Sequence, residues 1–176
     1  NIGNDKWEMY KDFNAAGIPV MYTQKTKLPY PFVMKPVNGH GGENVYLIKN
    51  ADEYESVISN IPDDRQGDLI YQVIATEKGR DIRVYVVGGT ILTAMERIAV
   101  DTEKDFRSNY SLNGNAKEHA LTDEELKLAA KVAVRTVSRF LEDNPASFDL
   151  VEWVLFDSVT ESVYEVYNEY YHNKLE

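Results

Sequence analysis

Apolar residues recur at two spacings along this chain, one typical of helices and one typical of strands. Three segments have the helical spacing: 5–16, 51–59 and 122–141. Each lies beside a residue whose side chain can cap a helix: Asn4 or Asp5, Asn50, and Thr122. The last two caps have a glutamate three residues later, the spacing of a capping box. We expect the first helix to end at Gly17 and the third, which has the most regular apolar stripe, to serve as scaffold.

Shorter segments rich in β-branched and aromatic residues predict strands. They are 20–23, 32–34, 45–48, 69–75, 81–87, 90–96, 147–157 and 162–168. A polar turn at 76–79 predicts that the strands on either side of it form a hairpin, and a turn at 158–161 predicts another antiparallel pair. Together the elements indicate an α+β fold, with a first lobe over residues 1–70 and a second over residues 71–176.

The composition narrows the class of protein. The chain has 176 residues, 43% of them hydrophobic, which suits one domain or two small lobes with a core. Without cysteine there is no disulfide, thiolate metal site or cysteine nucleophile, and we expect a cytoplasmic protein. The net charge of −10 argues against a nucleic-acid surface, so that any phosphate site must be local. No apolar window is long enough to cross a membrane.

The two ends of the chain suggest a fragment. It begins at Asn1 without methionine, and it ends in Leu175-Glu176, a pair that we interpret as the remnant of an affinity tag. We therefore expect a preceding N-terminal lobe to be missing.

A glycine-rich loop follows the strand at 32–34. It contains Gly39, Gly41 and Gly42, and Lys35 precedes it at the strand end. Such a loop lets backbone N–H groups approach phosphate oxygens, and a lysine adds a positive charge. The loop matches neither GxxxxGK[ST] nor GxGxxG, so the familiar P-loop and dinucleotide folds are not indicated. The alternative is a flexible connection with Lys35 packed along the sheet.

Lys6 lies in the first turn of the first predicted helix. A positive charge is unfavourable there, beside the positive end of the helix dipole, unless an anion lies nearby.

Charged residues in the second half are further candidates. Asp81 and Arg83 share one face of their strand, either as a solvated pair or as part of a site. The long polar stretch 97–119 is either a functional loop or a disordered one. Asp149 and Glu165 lie in apolar strands, where an ionised carboxylate needs a cation: either Mg²⁺ or a neighbouring Arg or Lys.

The order of the motifs resembles the ATP-grasp superfamily, and most of all its RimK-like branch of ribosomal-protein glutamate ligases. The motifs are KPVNGHGG, then GRDIRVYVVGG, then DFRSN, then FDL and EV. The resemblance covers roughly residues 5–168. It implies two α+β lobes with antiparallel sheets that hold ATP between them.

The resemblance also implies roles for single residues. Lys6 and Lys35 match two phosphate-binding lysines, and the three glycines match a flexible loop over the phosphates. The segment that meets adenine through its backbone is matched by Gln72, Val73, Ile74 and Ala75. Glu77 resembles the acid that meets the ribose. Arg97 and Arg107 resemble arginines at the phosphate and acyl-phosphate end, and Arg83 and Asn109 are candidate substrate contacts. The ligands of Mg²⁺ or Mn²⁺ are matched by Asp149, Glu165 and Asn168.

The resemblance implies a ligase that joins a carboxylate and an amine through an acyl-phosphate, with release of ADP and phosphate. The partners would be ATP, an acid and an amine, which could be an amino acid, a peptide or a protein. A second hypothesis is an ATP-binding module without catalysis, because Glu165 and Asn168 are three residues apart and point to opposite faces of a regular strand. A third is an interaction domain that needs no metal.

Overall fold

The computed structural model describes residues 5–39, 41–87, 90–100 and 115–145. These residues belong to two compact units, which are described separately. The first takes the described residues of Asn1–Asp81 and Arg97–Asn115, and the second those of Ile82–Glu96 and Ala116–Glu176.

The first unit is built on a four-stranded sheet. Its strands are β1 (Thr23–Gln24), β2 (Phe32–Pro36), β3 (Tyr46–Ile48) and β4 (Leu69–Gln72). They lie in the order β1-β4-β2-β3, and all three neighbouring pairs are antiparallel. The helices of this unit are α1 (Lys6–Ala15), α2 (Ala51–Ile58) and α3 (Asp63–Gln66). Because β4 lies between β1 and β2, its side chains can contact both neighbours.

The strand period gives this sheet an apolar face and a mixed face. Phe32 and Met34 of β2 are fully buried, and they cluster with Tyr71 of β4 and Ile48 of β3. Helix α2 covers this cluster with Tyr54, Val57 and Ile58. The intervening residues of β2 and β4 point the other way. The aromatic part of the core therefore occupies one face, and the opposite face carries polar groups beside the buried Val33 and Ile70.

The caps predicted from the sequence are present in the first two helices. The Asp5 carboxylate accepts hydrogen bonds from the backbone of Trp7 and Glu8 at 2.9 and 3.0 Å. Gly17, one position beyond the C-cap residue of α1, has a φ of 64°, which favours glycine. Asn50 accepts from the Glu53 N–H at 2.9 Å. The Glu53 carboxylate accepts from the N–H of residue 49 instead of residue 50, so the box at α2 is incomplete.

The second sheet has three strands, β5 (Arg80–Val87), β6 (Thr90–Ile98) and β7 (Asn115–Glu118), in that order. As residue numbers rise in one strand they fall in its neighbour, so the strands run in opposite directions. The contacts that establish this are Asp81 with Arg97, Tyr85 with Met95, Lys117 with Glu96, and His119 with Ala94.

Helix α4 (Asp123–Asp143) is capped as predicted. Thr122 and Glu125 form a complete capping box. Ala130 and Val134 are fully buried, and the other apolar residues of the predicted stripe are half-buried. Of the helices in the described part of the chain, none is both long and apolar enough to cross a membrane.

Three predictions from the sequence were wrong. Strands β4 and β5 do not form a hairpin, because they belong to different sheets. The polar segment 61–68, which the sequence predicts to be a loop, contains α3. The polar stretch 97–119, also predicted to be a loop, contains β7. The predicted strands at 147–157 and 162–168 lie outside the described residues.

Candidate functional site

The mixed face of the first sheet carries the candidate site. Thr23 of β1 lies opposite Gln72 of β4, and Gln72 also lies opposite Val33 of β2. Lys35 is two residues beyond Val33, so it points to the same face. The sheet register thus places Thr23 directly beside Gln72. Lys35 lies opposite Ile70, diagonally across from Gln72, so the three polar side chains share one face of three adjacent strands.

Two hydrogen bonds on this face link Lys35 to Thr23 through Gln72. Its Nζ donates to Gln72 Oε1 at 2.8 Å, and Gln72 Nε2 donates to Thr23 Oγ1 at 2.9 Å. Burial, together with the smaller effect of the nearby charge of Lys6, lowers the pKa of Lys35 from 10.5 to about 8. Lys35 is therefore a positive group that is only partly hydrated and is held next to a second positive group.

Lys6 reaches the same region from the start of α1. Its Nζ donates to the carbonyl oxygens of Gly39 at 2.9 Å and Val37 at 3.3 Å. Burial lowers its pKa, and the negative charge of Asp5 opposes that effect. These two carbonyls partly offset the unfavourable position of a cation in the first turn of a helix. The two hydrogen bonds also connect α1 to the start of the glycine loop.

All three glycines of the glycine loop have positive φ angles. Gly39, Gly41 and Gly42 have φ angles of 127°, 66° and 82°. A side chain at Gly41 would meet no heavy atom within 4 Å, so the need for glycine there comes from the backbone and not from space. Asn44, at the end of the loop, also has a positive φ of 55°, a value that asparagine tolerates better than most residues.

The lysines, the loop and the segment after β4 line one cavity of about 280 Å³. Lys6, Lys35 and Gly42 supply its polar and flexible part. Its apolar side chains are those of Met21, Val33, Val45, Val73, Ile74 and Ala75. Positive groups beside apolar surface are what a ligand with an anionic group and a flat apolar group requires. In a chain with net charge −10, the lining of this cavity is a local excess of positive charge.

Three other predicted residues have different surroundings. Glu77 lines the cavity and pairs with Arg80 at 2.6 Å, with both side chains exposed. Arg97 is 7% exposed and donates its Nε to Asp81 Oδ1 at 2.7 Å and its Nη2 to the other carboxylate oxygen. The structure therefore pairs Asp81 with Arg97, whereas the sequence suggested a pair with Arg83. Arg83 is exposed on β5 in the second unit.

The remaining predicted residues lie outside the described part of the chain. They are Arg107, Asn109, Asp149, Glu165 and Asn168. Within residues 5–39, 41–87, 90–100 and 115–145, no cluster of three or more His, Asp or Glu residues could hold a metal ion. The predicted metal site therefore stays a prediction.

Sequence reasoning missed four residues of this site: Met21, Thr23, Val33 and Arg80. The hydrogen bond from Gln72 to Thr23 joins residues that are 49 positions apart, so no local pattern indicates it. The alternation of Val33 and Lys35 on one face of β2 was a signal that could have found Val33.

The chain is similar to a known domain family and to proteins with given names. The family model of the RimK-like ATP-grasp domain matches residues 14–141. A probable alpha-L-glutamate ligase from Rhodopirellula baltica is 32% identical over 58% of this chain and 25% of its own length. A ribosomal protein bS6–L-glutamate ligase from Escherichia fergusonii is 39% identical over 58% of this chain and 34% of its own. The matches thus span a quarter to a third of the length of these relatives.

One solved structure shows a likeness in fold. D-alanyl-alanine synthetase A from Vibrio cholerae superposes with a TM-score of 0.52, covering 78% of this chain and 48% of that protein. The two sequences are 14% identical, so the likeness concerns the fold alone.

Proposed function

Because the chain belongs to the family of RimK-like ATP-grasp domains, we propose that its first unit binds ATP for the ligation of a carboxylate to an amine. The observation that carries the proposal is the convergence of Lys6, Lys35 and the glycine loop on one cavity. The strand with Lys35 runs directly into the glycine loop, whereas the helix with Lys6 is brought beside them only in the folded chain.

The described residues fit a nucleotide. Lys6 and Lys35 would bind the phosphates, and the N–H groups of the glycine loop would add donors to the same oxygens. The apolar side chains of Met21, Val33 and Val73 would face the base, whose edge would meet the backbone of residues 72–75. Glu77 would meet the ribose hydroxyls.

The other assignments complete the proposal. Asp149, Glu165 and Asn168 would hold Mg²⁺ or Mn²⁺, which would neutralise charge on the phosphates. Arg97 and Arg107 would stabilise the negative charge that develops at the transferred phosphoryl group. Arg83 and Asn109 would contact the acid or the amine.

The reaction needs positioning and charge neutralisation more than a protein nucleophile. An oxygen of the substrate carboxylate attacks the γ-phosphorus, and the bond to ADP breaks. The amine nitrogen then attacks the acyl carbon, phosphate leaves, and the nitrogen loses a proton. The products are an amide, ADP and phosphate, and the absence of cysteine is no obstacle to this route.

L-Glutamate is the first substrate to test, because relatives of this chain are named as glutamate ligases. Glutamate has both an amine and carboxylates, so it could serve on either side of the new bond. The assay follows ADP formation with Mg²⁺, ATP, L-glutamate and a peptide that ends in glutamate, leaving out one component at a time. Mass spectrometry detects addition of a glutamyl residue to the peptide.

The proposal predicts ADP only when an acid and an amine are both present, together with a product heavier by one residue. ADP formed equally without either substrate would contradict ligation. Nucleotide binding without turnover, over a panel of amino acids and peptides, would favour the module without catalysis.

A further inference from the structure

A buried threonine, Thr23, is linked to Lys35 through the side chain of Gln72. Thr23 is 2% exposed, and its Oγ1 donates to the carbonyl oxygen of Met21 at 2.8 Å. The same oxygen accepts from Gln72 Nε2 at 2.9 Å, while Gln72 Oε1 accepts from Lys35 Nζ at 2.8 Å. A continuous chain of hydrogen bonds thus runs from a backbone carbonyl to the lysine.

The direction of this chain follows from the number of protons available. A hydroxyl group has one proton, and that of Thr23 is used on the Met21 carbonyl, so Thr23 can only accept from Gln72. The amide nitrogen of Gln72 must then face Thr23, and the amide oxygen must face Lys35. The opposite orientation would point an N–H group at an ammonium group, which is repulsive.

We propose that Thr23 is a positioning residue, which fixes the amide of Gln72 so that its oxygen holds the Lys35 ammonium group at the cavity. The inference rests on the proposed function in one respect, namely that Lys35 binds phosphate. The position of Thr23 directly opposite Gln72 in the sheet register makes this hydrogen bond a consequence of the fold.

The test compares Thr23→Val, which keeps the shape but removes the hydroxyl, with Thr23→Ser, which keeps the hydroxyl. The pKa of Lys35 is measured by NMR of its side-chain ε-carbon, and the signal is identified by its loss in Lys35→Arg. A hydrogen bond to the charged form favours that form, so Thr23→Val should lower the pKa of Lys35 by about one unit. Thr23→Ser should leave it near the wild-type value.

Two further measurements separate positioning from a merely structural role. In a Gln72→Leu background, Thr23→Val should cause no additional change in the pKa of Lys35, because the hydrogen bonds through Gln72 are already absent. Affinity for an ATP analogue at pH 8 should fall about fivefold in Thr23→Val, because fewer Lys35 side chains are protonated, and be restored in Thr23→Ser. Thr23→Ala replaces the valine variant if that variant does not fold.

The outcomes are distinguishable. A folded Thr23→Val protein with an unchanged Lys35 pKa would overturn the inference, even if its stability had fallen. Suppose that the wild type binds no nucleotide, but that the pKa of Lys35 falls in Thr23→Val and not in Thr23→Ser. This result would overturn the proposed function and leave Thr23 as the group that orients Lys35.

Discussion

Replacing Lys35 by methionine is expected to change how stability depends on pH. The folded chain lowers the pKa of Lys35 from 10.5 to about 8, mainly through burial. Between these values the unfolded chain binds a proton that the folded chain does not, so wild-type stability rises with pH. Below about pH 8 both states are protonated, and keeping the buried charge costs the folded state about 3 kcal/mol. Lys35→Met removes this cost and its pH dependence.

The assay is urea unfolding at pH 7 and pH 9.5, followed by fluorescence of Trp7 in a Trp153→Phe background. Relative to Lys35→Met, the wild type should gain about 2 kcal/mol between these two pH values. Lys49→Met, at an exposed position, is the matched control and should follow the wild type. Wild-type and Lys35→Met profiles that stay parallel within about 0.5 kcal/mol would refute the argument that Lys35 is desolvated.

Three other predictions concern the site and the scaffold. Affinity for an ATP analogue should fall about fourfold from pH 7 to pH 8.5, as Lys35 loses its proton, when titrated by calorimetry; constant affinity would contradict a role for its charge. Gly41→Ala should reduce the unfolding free energy by about 1 kcal/mol, because φ is 66° there, and Gly41→Asn by less; equal losses would argue against backbone strain. Thr122→Ala should cost about 1 kcal/mol and Thr122→Ser almost nothing, measured by urea unfolding with circular dichroism; an unaffected alanine variant would mean that the cap of α4 contributes little.

The helices could be predicted from the sequence because their signals are local. The caps at Asp5, Asn50 and Thr122 and the apolar spacing after them lie within a few residues of one another. The short helix α3 was missed because its four residues have no apolar stripe. Strand β7 was missed because all four of its residues are exposed and polar or small.

Strand pairing was harder to predict, because it depends on contacts between distant segments. The two strands around the turn at 76–79 have the residue types of a hairpin, yet β4 pairs with β1 and β2 of the first sheet. Lys35 and the glycines could be selected from their local pattern. The partner of Lys35 could not, because Gln72 reaches it only through the register of β2 and β4. The candidate residues could therefore be predicted from the local sequence, but the strand pairing that brings them together could not.

The most direct test of the account is a calorimetric titration of this chain with a non-hydrolysable ATP analogue, with and without Mg²⁺. Wild type and Lys49→Met should bind alike, Mg²⁺ should strengthen binding, and Lys35→Met should bind about tenfold more weakly because a charge-assisted contact to phosphate is lost. Wild type and Lys35→Met should bind adenosine, which has no phosphate, with nearly equal affinity. Equal affinity of wild type and Lys35→Met for the triphosphate analogue, or no binding by either, would contradict a nucleotide site at this cavity.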